Sequence, residues 1–211
     1  MGLWSNILAR FRLMTHDSQP MTAFLLIGLG NPGTRYAHNR HNIGFMAIDA
    51  IAAKYGFPKW SQKFQGHIAE GKIGTHKVFL LKPQTFMNLS GESAGTLARF
   101  YKIPLENIIV FHDELDLPLA KIRVKCGGGH GGHNGLKSLD AHLGADYWRV
   151  RMGIGHPGDK DMVSPHVLSD FIREEVPAVE KLCTSVAKHI DVLLLRDDAG
   201  FMNKITLDMK E

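Results

Sequence analysis

The sequence predicts one α/β domain, on three observations. Apolar runs of strand length, from Phe24 to Leu29, Lys77 to Leu81, Asn107 to Phe111 and Trp148 to Ile154, are separated by stretches whose apolar residues recur at helical spacing. The chain's 211 residues can bury one sizeable core. No Pro/Ser-rich linker and no internal repeat divides them, so residues 21–211 are expected to form a single unit.

Residues 1–20 match the rest of the chain poorly. Trp4, Ile7, Leu8 and Phe11 fall on a loosely helical period with Arg10 and Arg12, and a polar run ends at Pro20. An amphipathic targeting segment would look like this, but a disordered extension with Met21 as the functional start is the expectation. No apolar run approaches the roughly 20 residues that span a bilayer, so no membrane role is expected. Two cysteines, Cys126 and Cys183, with no Cys-x-x-Cys pair, argue against a disulfide framework and a cysteine zinc site. A reducing, cytoplasmic setting fits.

The first strand, Phe24 to Leu29, runs into the turn Gly30-Asn31-Pro32-Gly33. Gly28, Gly30 and Gly33 satisfy G-x-G-x-x-G, the dinucleotide fingerprint, which requires a helix to open within the motif and an acid about 20 residues on. Pro32 and the polar run Thr34 to Arg40 delay the helix here, and Asp49 falls inside it. Ile43, Met46, Ala47, Ala50 and Ile51 mark that helix, and Gly56 suits its C-terminal end. His41 stands just before it, where a histidine serves either as a cap or in chemistry.

A hairpin is expected from Gly66 to Leu81, turning at Gly74-Thr75. Pro83 ends its second strand, and Ser90 is expected to cap a helix bearing Leu97, Ala98 and Tyr101. The polar residues before that cap lie at a strand end, where open α/β sheets bind ligands. The strand to Phe111 runs on into His112-Asp113-Glu114-Leu115-Asp116. Three carboxylates so close together resemble a metal site, but the spacing fits no EF-hand loop and no His-x-x-x-His helix accompanies it. The other use of such an acid is to hold a histidine in its reactive tautomer.

Residues 127–135 read Gly-Gly-Gly-His-Gly-Gly-His-Asn-Gly. Six glycines in nine residues preclude a regular element and permit positive φ and close approach to a ligand. The loop lies between a basic strand, Lys121 to Lys125, and a helix with Leu136, Leu139 and Leu143 on one face. Backbone N–H groups converging at such a place bind anions or carbonyl oxygens. Residues 121–160 carry seven Lys or Arg against three acids, leaving eighteen of each elsewhere, so the entire net charge of +4 lies around this loop. That is the pattern of a surface receiving a polyanion. Beyond it come a strand ending at Ile154, a loop from Gly155 to Lys160, a segment from Val163 to Phe171 broken by Pro165, and a long helix from Glu174 to Leu195.

Five blocks, in order, resemble bacterial peptidyl-tRNA hydrolases: residues 28–33 with Tyr36 and 40–42, 82–91, 112–118, 127–135 and 153–158. The resemblance spans about Phe24 to Met202; Asn39 stands where the family usually has Thr, and residues 1–20 have no counterpart. It implies a single α/β domain with a mixed twisted sheet flanked by helices. The implied activity is hydrolysis of the ester joining a peptide to the 3′ end of tRNA, by a monomer without metal or cofactor. By the same resemblance His41 is the general base and Asp113 orients it. Asn31, Tyr36, Met87, Asn88, His133 and Asn134 bind the substrate, and Lys125 and Arg151 bind tRNA phosphate. The chemistry is consistent with these residue types: a histidine titrates near neutrality, and amide donors suit a developing oxyanion. No G-x-S-x-G elbow offers a serine nucleophile. An inactive RNA-binding relative and a nucleotide-dependent oxidoreductase are the rival readings.

Overall fold

A computed structural model describes residues 23–211, so the expectation for residues 1–20 lies outside the described residues. Seven strands form one sheet: β1 (Phe24–Gly28), β2 (Ser61–Lys63), β3 (Gly66–Ile73), β4 (His76–Pro83), β5 (Ile108–Glu114), β6 (Ile122–Cys126) and β7 (Trp148–Gly153). Their order is β2-β3-β4-β1-β5-β7-β6. The central four are parallel, and β2, β3 and β6 join antiparallel at the edges, which makes the sheet mixed.

The alternation within β1 divides the core. Phe24 and Leu26 face a layer formed by α1 (Ile43–Lys54), α5 (Val176–Leu194) and α6 (Asp198–Asp208). Leu25 and Ile27 face the opposite layer, formed by α2 (Ser90–Phe100) and α3 (Asn134–Leu143). A strand buried on both faces reads as a continuous apolar run, which is what made β1 legible. The chain leaves β1 toward β4 on one side and returns to β5 on the other, so the carboxyl ends of these neighbours frame a switch-point crevice.

Several expectations need correction. Ser90 does not cap α2: the chain enters the helix through a 3-10 turn, Met87–Leu89, and Ser90 Oγ donates to Met87 O at 2.8 Å. The first free amide of α2, Gly91 N–H, is instead taken by Ser138 Oγ of α3 at 2.9 Å. Pro165 does not break its segment but sits within the single turn α4 (Val163–Val167), where its missing N–H is not needed. The long helix starts at Val176 with Pro177 in its first turn.

Two elements carry too little pattern to be read. Every residue of β2 is exposed, and α6 buries only Phe201 and Ile205 behind an early Gly200. Asp197 starts α6 by accepting from Gly200 N at 2.8 Å.

Gly28, the first glycine of the G-x-G-x-x-G match, is taken up by packing, together with Gly44. A Cβ on Gly28 would lie 2.3 Å from Gly44 O, and one on Gly44 would lie 2.3 Å from Phe111 O. The glycines therefore let the start of α1 rest directly on β1 and β5. The short turn before α1, Arg40–Asn42, is thereby held against the end of β5.

Gly28→Ala is expected to destabilise the fold by about 1–3 kcal/mol, because the new methyl meets backbone that cannot step aside. The urea midpoint reads this loss. An unchanged midpoint would mean that the β1–α1 approach is looser than these distances require.

Candidate active site

The cleft at the carboxyl ends of β1, β4 and β5 has a volume of about 1060 Å³. All ten residues singled out from the sequence line it: Asn31, Tyr36, His41, Met87, Asn88, Asp113, Lys125, His133, Asn134 and Arg151. They come from five separate segments, which only the sheet order brings together.

Asp113 lies at its floor, 4% exposed, near the end of β5. Its carboxylate accepts from His41 Nδ1 at 2.8 and 2.9 Å and from His133 Nε2 at 2.9 Å. Each ring has its tautomer set by what its other nitrogen can do. His133 Nδ1 accepts from Gly135 N at 3.0 Å and Leu136 N at 3.3 Å, making His133 the N-cap of α3. Its proton therefore resides on Nε2. His41 donates through Nδ1, so its Nε2 carries the lone pair.

Burial alone would raise the Asp113 pKa, yet the charge and hydrogen bonds of His41 and His133 hold it well below the usual carboxylate range. Burial would likewise lower that of His41, and the Asp113 charge and hydrogen bond outweigh it, so His41 titrates above its ordinary value. The same three side chains put possible ligand atoms within 4.8 Å of one another. Their separations of 2.8 to 2.9 Å are those of N–H to oxygen bonds, so His41 Nδ1 and His133 Nε2 are both engaged as donors to Asp113. The three carboxylates that resembled a metal site diverge: Glu114 pairs with Arg151, and Asp116 is exposed.

Asn31 is held from three directions. Its N–H donates to Asn42 Oδ1 at 2.8 Å, its carbonyl accepts from Asn42 Nδ2 at 2.9 Å, and its Oδ1 accepts from Met87 N at 2.9 Å. That last bond fixes the amide orientation and leaves the NH₂ as the group that can donate into the cleft. Asn88 and Asn134 are exposed at the rim, and Tyr36 is half-buried.

The glycine loop takes a long path to the site. Because β6 is antiparallel to β7, Cys126 pairs with Trp148, which pairs with Ile109 at the far end of β5 from Asp113. Residues 127–133 must therefore run back along the sheet to bring His133 to Asp113. Gly127, Gly128, Gly131 and Gly132 all have positive φ, which is the backbone reason for the glycines. Arg149 fastens the path: fully buried, it donates to Gly129 O at 2.8 Å and to Asp140 Oδ1 of α3 at 2.9 Å.

The basic excess is correspondingly reduced as seen from outside. Arg149 is buried in this role, and Arg151 Nε donates to Glu114 Oε2 at 2.7 Å, so a phosphate would share Arg151 with Glu114. Lys125 is half-buried at the cleft edge. Sequence reasoning assigned no role to Asn42, His112 or Arg149, whose work is to hold other site residues. Nothing in residue type distinguishes a buried Arg from a surface one.

A family model described as peptidyl-tRNA hydrolase matches residues 25–211. The chain is similar to the peptidyl-tRNA hydrolase of Chelativorans sp. (strain BNC1), at 56% identity over 87% of this chain and 77% of that one. It is also similar to that of Methylobacterium sp. (strain 4-46), at 55% over 88% and 92%. Among solved structures, peptidyl-tRNA hydrolase from Acinetobacter baumannii superposes with a TM-score of 0.82 and 42% identity, covering 88% of this chain and 95% of that one.

His112, 2% exposed, donates Nδ1–H to Asp113 O at 2.7 Å, and burial, with the neighbouring His133, pushes its pKa down to about 3. Unfolding frees this ring to take a proton, so stability falls as pH drops from 6.5 toward 3, at up to about 1.36 kcal/mol per pH unit. The raised His41 contributes fully below 6.5, and the depressed Asp113 loses its contribution only below 3.8, so neither cancels this slope. Urea unfolding between pH 6.5 and 4 should show the decline, and His112→Asn should flatten it. Parallel profiles for the two proteins would contradict the assignment.

Proposed function

The chain belongs to the peptidyl-tRNA hydrolase family, and on that premise we propose how its cleft hydrolyses the ester joining a peptide to the 3′ end of tRNA. The observation that carries the reading is the Asp113 carboxylate bonded to His41 Nδ1 inside the cleft, with the opposite nitrogen left as the base.

His41 Nε2 takes a proton from water as the water oxygen attacks the ester carbonyl carbon. Asp113 stabilises the imidazolium that forms and keeps the ring in the reactive tautomer. The carbonyl oxygen gains charge in the tetrahedral intermediate, and the Asn31 NH₂, with the Asn134 side-chain amide, supplies neutral donors for it. Collapse breaks the bond to the ribose 3′ oxygen, which takes the proton back from His41. The products are a peptide with a free carboxylate and a tRNA with a free 3′ hydroxyl.

Met87, Tyr36 and the apolar wall of α4 give the peptide a surface to lie on, while Asn88 offers an amide to its backbone. Lys125, and Arg151 in competition with Glu114, meet phosphate at the cleft edge. We read the protein as a cytoplasmic monomer, with residues 1–20 dispensable for chemistry. Among the described residues no helix is long and apolar enough to cross a membrane.

His41→Ala should lose about 10² to 10⁴ in kcat while retaining tRNA binding, since phosphate contacts lie elsewhere. Asp113→Asn should also lower kcat, and the acid limb of its pH–rate profile should move down from its wild-type position above pH 6.5, where the raised His41 titrates. Turnover of His41→Ala near the wild-type value would remove His41 from the reaction.

Lys125→Ala should weaken peptidyl-tRNA binding and reduce the slope of log K against log salt by about 0.7 to 0.9, one phosphate contact's worth of counterion release. Filter binding from 50 to 200 mM salt measures both. An unaltered slope would mean that Lys125 meets no phosphate.

A further inference from the structure

Arg40 precedes the proposed base by one residue, in the same 3-10 turn, yet it does not line the cleft. It is 6% exposed, and its guanidinium points away to the chain beyond α4. Nη1 donates to Ser169 Oγ at 2.9 Å and to the Asp170 carbonyl, Nη2 donates to Glu175 Oε2 at 2.5 Å, and the group lies 5.2 Å from the centre of the Phe171 ring. The backbones are tied as well, by Arg40 N to Ser169 O at 3.0 Å and Phe171 N to His38 O at 3.3 Å. Asn39 Nδ2 adds a bond to Asp170 Oδ1 at 2.7 Å.

The strap so fastened is a wall of the cleft. Val163, Ser164, Val167 and Leu168 line it, and residues 158–170 are otherwise little buried. Within α4 itself, His166 Nε2 donates to Gly155 O at 3.0 Å. A wall with so little core beneath it takes its position from these two fastenings. One of them is the turn that carries His41.

We propose that Arg40, through Glu175, Ser169 and Asp170, is a positioning residue for hydrolysis: it locks the α4 wall to the His41 turn so that substrate and base keep a common register. The proposal rests on the hydrolase reading of the cleft. Arg40 touches neither water nor ester. It acts by coupling two elements that each touch substrate, and the rigid, planar fork of an arginine suits three simultaneous acceptors in a way that lysine does not.

The test uses the full chain with variants Arg40→Gln, Arg40→Lys, Glu175→Gln and the double Arg40→Gln/Glu175→Gln. Steady-state hydrolysis of a peptidyl-tRNA is normalised to the folded fraction from thermal melting. Because a misplacement near 1 Å can cost about 100-fold in rate, Arg40→Gln should lower kcat by about tenfold or more and raise KM several-fold per folded molecule. Glu175→Gln should move both constants the same way but less, Arg40→Lys should recover part of the loss, and the double variant should be no worse than Arg40→Gln. Activity that falls only with the folded fraction, leaving kcat and KM within twofold of wild type, would overturn the proposal, as would multiplicative losses in the double variant. A wild-type chain unable to hydrolyse the ester would remove the hydrolase reading and this proposal together; an active wild type with unaffected variants would remove this proposal alone.

Discussion

A buried carboxylate that accepts from two imidazoles fixes most of its surroundings. Asp113 lies where desolvation opposes its charge, and the donors His41 and His133 together keep its pKa well below the usual carboxylate range. Each donor in turn depends on a separate part of the fold. His41 reaches the carboxylate because Gly28 and Gly44 let the start of α1 lie against β1 and β5 without side chains between them. His133 reaches it because a glycine-rich path brings the chain back from the far end of β6, and because capping α3 commits its other nitrogen. Only one of the two rings can therefore gain a proton without giving up backbone bonds. On the proposed mechanism that asymmetry separates the base from its support, although both are histidines on the same acid.

The electrostatics divide in the same way between working and supporting groups. Arg149 and Arg151 both belong to the basic segment, but the first is consumed in holding the glycine loop to α3 and the second is shared with Glu114. Positive charge is thus brought to the cleft while part of it is neutralised within the protein. Lys125 and Lys160 line the cleft without an ion pair among the described residues, and on the proposed function a phosphate contact by Lys125 is the kind that salt weakens.

Much of this architecture is legible in the sequence, and unevenly so. β1, α1 and the 66–83 hairpin come from apolar period and turn chemistry, which local residues dictate. The ten cleft residues could be gathered only by resemblance, because their meeting depends on the sheet order, a non-local property with no trace in residue spacing. The misreadings have identifiable causes. Ser90 has the right residue type for a cap, but a preceding 3-10 turn takes its hydroxyl to Met87 O. α6 has two buried apolar residues, too few for a period, and β2 has none. The long return path of the glycine loop has no trace in the sequence, because strand direction at an edge is set by pairing, which no single strand encodes.

The central claim, that one acid holds two histidines in opposite tautomers, is open to direct observation. Nitrogen-15 NMR of the imidazole rings, assigned with His41→Ala and His133→Asn, distinguishes a protonated ring nitrogen from one carrying a lone pair. Above the raised pKa of His41, its Nδ1 should be protonated and its Nε2 should carry the lone pair, while His133 should show the reverse, protonated at Nε2. A His41 ring protonated at Nε2 in the neutral form would contradict the account, because the nitrogen proposed to take the proton from water could then no longer accept it.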